Sequence, residues 1–134
     1  MVQAAYDTYF ASMTEGMIVM AHSQGGLFSL EAALKNVENV RGVILVESSS
    51  DMDVEKVDVS SFREIPFLFV YGDFLGEEYC IDGYKWPGAF AWDSTWLSLP
   101  ELGIRGNTHA LMMEDNSDEI ADLICEWMKE HIKG

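Results

Sequence analysis

The sequence predicts an α/β protein: a mostly parallel sheet of about four strands with flanking helices. Two observations carry this expectation. Four short apolar runs punctuate the chain, and helical patterns of apolar spacing lie between and after them. The length of the runs and their β-branched or aromatic content favour strands over helices. Strands alternating with helices imply parallel pairing through right-handed crossovers.

The first run, "MIVMA" at 17 to 21, reads as a fully buried strand, because such strands appear as short continuous apolar stretches. It leads directly into His22, Ser23, Gln24 and the pair Gly25 and Gly26, which permits a sharp turn and close approach of a following helix. Leu27, Leu30, Ala33, Leu34 and Val37 then fall near helical spacing. The runs "GVILVE" at 42 to 47, "PFLFVYG" at 66 to 72 and "WLSLP" at 96 to 100 supply the other strands. Between the last two, 76 to 95 holds Tyr79, Tyr84, Trp86, Phe90 and Trp92, interrupted by Pro87 and Gly88. These rings read as a short helix on the sheet or as the lining of a substrate pocket. The final helix, 117 to 132, presents Ile120, Leu123, Ile124, Trp127 and Met128 as one stripe. Asn116 or Ser117 is placed to cap it, Asp118 and Glu119 suit its start, and Lys129, His131 and Lys133 suit its end.

Composition limits the function. The 134 residues are 49% hydrophobic and 23% charged, which suits one globular domain. A formal charge of -15 repels phosphate backbones and anionic lipid, so neither nucleic acid nor membrane is an expected partner. The acidity itself reads as a solvated surface. Cys80 and Cys125 form no CxxC pair and belong to no Cys/His cluster; Cys125 falls on the stripe side of the last helix, where a packed free thiol is expected, and the pairing of Cys80 stays open. No HExxH or similar spacing appears, so no metal and no other cofactor is expected. "MVQAAYDTYF" lacks the features of a signal peptide and no stretch is long enough to cross a bilayer, which predicts a cytoplasmic chain.

The chemistry concentrates at A-H-S-Q-G, residues 21 to 25. A G-x-S-x-G pentapeptide between strand and helix is a nucleophile elbow, in which a strained turn lifts the serine oxygen clear of the sheet; here Ala21 replaces the first glycine. Ser23 then needs a base, oriented in turn by a carboxylate. His22 adjoins Ser23 and points away from it, a packing position, while His131 lies in the last helical turn. His109, in the loop "GIRGNTHALMM" after the fourth run, is the expected base. The acid has several candidates: Asp73, Glu77 and Glu78 after the third run, or Glu47 at the tip of "GVILVE". A glutamate closing an apolar strand needs a partner, because an unpaired buried carboxylate is costly.

These residues resemble the α/β-hydrolase fold, and more closely a bacterial esterase branch with serine in S-H-S-Q-S-G, glutamate in V-E-P and histidine in L-P-x-L-G-x-x-G-N-S-H contexts. The corresponding segments are "AHSQGG", "VES" and "LPELGIRGNTH", followed by the similar "MMEDNSDEIADLICEWM". The resemblance implies a catalytic triad of Ser23, Glu47 and His109, with the Gln24 backbone N–H as half of an oxyanion hole. Leu75, where commoner members would place an aspartate, fits that choice of acid. The implied reaction is hydrolysis of a small-molecule carboxylic ester through an acyl-enzyme. A thioesterase or acyltransferase on the same scaffold, or a noncatalytic remnant serving as an interaction module, is the alternative.

The resemblance also implies that residues 1–134 are the C-terminal portion of a single α/β-hydrolase domain, its N-terminal strands absent. Only about sixteen residues precede the first run, enough for one helix. The elbow strand is then expected at an open sheet edge, where self-association or a partner chain completes it, and activity is expected to depend on that completion.

Overall fold

The computed structural model describes residues 1–48, 58–73 and 93–134. Four strands form one sheet in the order β1 (Met17–His22), β2 (Val40–Val46), β3 (Phe67–Tyr71) and β4 (Ser94–Ser98), every neighbouring pair parallel. Helix α1 (Val2–Ala11) precedes β1, α2 (Gly25–Lys35) joins β1 to β2, and α3 (Ser117–His131) closes the chain. The α/β architecture expected from alternating patterns is therefore present. Its fourth strand is shifted two residues toward the N-terminus, so that Leu99 and Pro100 open a 3-10 turn.

The two central strands explain their own sequences. β3 is buried at every position and β2 at all but Arg41, because helices cover both faces of the sheet there. On one face Val43, Leu45, Phe67 and Phe69 pack with Phe10 of α1 and with Leu30 and Ala33 of α2. On the other Ile44, Val46, Leu68 and Val70 meet Ile120, Ile124 and Trp127 of α3. Each such aliphatic side chain contributes about 1.5–3 kcal/mol on full burial. The α3 stripe is as expected, with Leu123 and Met128 packed at its margin. The Trp127 Nε1–H donates to Thr95 Oγ1 at 2.8 Å and ties the helix to β4.

Three expectations require correction. β1 is not fully buried: Val19 and Ala21 face the α1/α2 core, whereas Ile18 and Met20 are 45% and 55% exposed. Among the described residues it pairs only with β2 and forms one edge of the sheet. Cys125 is exposed, one position past the buried Ile124 and thus rotated out of the stripe. Neither candidate cap serves α3 through its side chain. Asn116 stands at the N-cap without a side-chain bond, and Ser117 N–H instead donates to the Glu114 carbonyl at 3.0 Å. Cys80 and the aromatic residues from Tyr79 to Trp92 lie outside the described residues. Among the described residues no helix is long and apolar enough to cross a membrane.

Candidate active site

The parallel register brings the C-terminal ends of β1, β2 and β3 to one side of the sheet, with Ala21 opposite Leu45 and Val46 opposite Val70. Ligand sites in open parallel sheets form beyond these ends. Ser23 follows β1 immediately, Glu47 follows β2, and Gly72 and Asp73 follow β3.

Ser23 has φ 53°, a left-handed conformation costing roughly 1–3 kcal/mol for a residue with a side chain. The tertiary frame holds it there. Ser23 N–H donates to the Val46 carbonyl at 3.2 Å, continuing the β1–β2 ladder by one residue, and its own carbonyl accepts from Gly26 N–H at 3.1 Å and Ser48 Oγ at 3.2 Å. Gly26 lies so close to Ser48 that a Cβ there would overlap the hydroxyl, which explains the second glycine of the pair. Gln24 stands at the N-cap of α2, which places its backbone N–H at the positive end of that helix.

Glu47 is the second strained residue, with φ 47°, and it is 2% exposed. One carboxylate oxygen accepts a short hydrogen bond from Gly72 N–H, and the other lies 3.2 Å from His109 Nδ1. Burial pushes its pKa above the usual carboxylate range, opposed by the bonds from Gly72 and His109.

His109, half exposed, completes the row: its Nε2 is 2.8 Å from Ser23 Oγ. Hydroxyl, imidazole and carboxylate thus form one hydrogen-bonded chain across three loops. The contact to Glu47 places a hydrogen on Nδ1 and leaves Nε2 free to accept from the serine.

The loop that carries His109 is held residue by residue. Asp73, an alternative acid from the sequence, instead accepts from Gly106 N–H at 2.7 Å and Asn107 N–H at 3.0 Å, with Arg105 3.6 Å away. Glu114 accepts from Thr108 N–H at 2.8 Å, and the Thr108 hydroxyl holds its carboxyl below the usual range. Sequence reasoning missed both anchors, since a lone carboxylate in a polar loop carries no pattern. Glu77 and Glu78 lie outside the described residues. No cluster suited to a metal ion occurs among the described residues.

A strand-turn-helix serine is thus bonded to a loop histidine, and that histidine to a strand-end glutamate. Comparison with known proteins shows an esterase-like α/β fold. No family model matches the chain, and no curated protein matches it significantly. The atomic-resolution structure of a novel bacterial esterase matches with a TM-score of 0.74 and 26% identity over 97% of this chain. This chain spans 41% of that longer one.

Proposed function

We propose that this chain is a carboxylic ester hydrolase working through Ser23, His109 and Glu47. The observation that carries the reading is the continuous hydrogen-bonded chain from Ser23 Oγ through the His109 ring to Glu47. Ser23 Oγ attacks the ester carbonyl while His109 Nε2 takes its proton. The same proton passes to the leaving alcohol, giving an acyl-serine that water hydrolyses by the same route. Glu47 stabilises the imidazolium and fixes its tautomer. The Gln24 N–H serves the oxyanion as one donor, a contribution of about 3 kcal/mol where a second donor completes the hole.

The test is intact mass after exposure to a fluorophosphonate. A single adduct is expected on the wild type, absent from Ser23→Ala and His109→Ala. A folded wild-type chain that stays unmodified under all conditions, including those described next, refutes the catalytic reading.

The β1 edge supports a second reading, an interaction module that receives a strand from another chain, in the simplest case a second copy. Apolar clefts of about 600 and 460 Å³ flank β1 on its two faces, and neither is lined by an Asp, Glu, Lys or Arg. In a chain of net charge -15, a surface of that size without charge suits burial against protein. Association measured by sedimentation is expected, and Ile18→Lys is expected to abolish it. If the adduct forms only in the associated state, the two readings describe one molecule.

A further inference from the structure

His22 is the one imidazole near the site that the proposed reaction does not use, and its contacts are specific. Its Nε2 lies 2.7 Å from the backbone carbonyl of His109, and the two rings sit 4.7 Å apart, centroid to centroid, inclined by 43°. A carbonyl oxygen only accepts, so His22 Nε2 carries the hydrogen. The bond therefore exists with His22 neutral or charged.

We propose that His22 is a positioning residue that holds His109 at hydrogen-bonding distance from Ser23. The inference rests on the ester-hydrolase reading. Asp73 anchors Gly106 and Asn107, and Glu114 anchors Thr108, so the loop is pinned up to the residue before His109. His22 supplies the next hold, on His109 itself, and its ring limits how far the other can tilt. The chain order matters as much as the contact. His22 ends β1 and Ser23 follows it, so a small movement of β1 carries the nucleophile and the clamp on its base together. The gap between Ser23 Oγ and His109 Nε2 is thereby insulated from such movements. Glu47 orients the same ring from its Nδ1 side, where His22 has no bond to make.

The variants are His22→Phe, which keeps a ring and loses the donor, and His22→Gln, whose Nε2 can reach the same carbonyl. Fluorophosphonate labelling of Ser23 is expected to slow by about ten- to a hundredfold in His22→Phe, since displacing a reacting group by about 1 Å costs up to that much. His22→Gln is expected to recover most of the rate, which a merely space-filling role would not allow. In parallel, imidazole NMR is expected to show sharp His109 ring signals from a single ring position in the wild type and His22→Gln, but signals broadened by ring motion in His22→Phe. Should His22→Phe fail to fold, His22→Leu carries the same expectations. A wild-type labelling rate in the donor-less variant overturns the proposal, as does an equal loss in His22→Gln. If the wild type labels in neither the free nor the associated state, the hydrolase reading has failed, and the NMR signals alone decide: sharp, wild-type His109 ring signals in the donor-less variant overturn the role of His22.

Discussion

Glu47→Gln separates the cost of the buried carboxylate from its use. The substitution keeps the shape, and the amide oxygen can still accept from Gly72 N–H as the first carboxylate oxygen does. The amide NH2 then takes the place of the oxygen 3.2 Å from His109 Nδ1, where two donors face each other. His109 escapes by moving its hydrogen to Nε2, which then donates to Ser23 and can no longer accept its proton. Loss of the correct tautomer in a comparable triad costs about ten-thousandfold in rate, or about 5.4 kcal/mol. Stability is expected to move the other way. Burial, the largest influence, raises the Glu47 pKa in the folded state, so folding favours the protonated form. That contribution is fully present below the unfolded carboxylate pKa and is lost as pH rises through the folded value. At neutral pH the ionised Glu47 is therefore a net cost that glutamine lacks. Thermal melts from acid to neutral pH are expected to show Glu47→Gln melting at or above the wild type near pH 7, with the difference closing on acidification. Labelling within about tenfold of wild type would refute the role assigned to Glu47. A deficit in melting temperature largest at neutral pH would refute the account of its burial.

Three further substitutions probe the supports. Gly26→Ala is expected to lower stability by about 1–3 kcal/mol, because the new methyl overlaps Ser48 and displaces its bond to the Ser23 carbonyl; chemical denaturation measures it. Ser23→Gly is expected to melt no lower than Ser23→Ala, since glycine accepts a φ of 53° without strain, and a clear deficit for glycine would show that the turn is not strained. Asp73→Ala removes the acceptor of Gly106 and Asn107 N–H and is expected to cost about 1–2 kcal/mol and to slow Ser23 labelling, while Asp73→Asn, which keeps one acceptor, loses less of both.

Local pattern made most of the fold legible. The continuous apolar runs of β2 and β3 signal burial on both faces, and the stripe of α3 signals a helix packed on one side, because both periodicities follow from backbone geometry. The pentapeptide around Ser23 is equally local, since strand, turn and helix are consecutive. β1 departs from its pattern for a reason of the same kind: four apolar residues look alike whether a strand is central or at an edge, and among the described residues β1 is an edge strand with Ile18 and Met20 exposed.

By itself, then, the amino-acid order determined the elements, the turn that raises Ser23 and a short set of possible partners for it. The tertiary structure decided among them. Glu47 and His109 are 62 residues apart, and nothing in their spacing states that strand register brings them to 3.2 Å. Asp73, one of the alternative acids in the sequence, is spent on the backbone of the histidine loop, and His22, expected to pack beside the turn, bonds the His109 carbonyl. Hydrogen bonds form between groups that the fold makes neighbours, and loop conformation, unlike strand or helix periodicity, leaves no repeating signature along the chain.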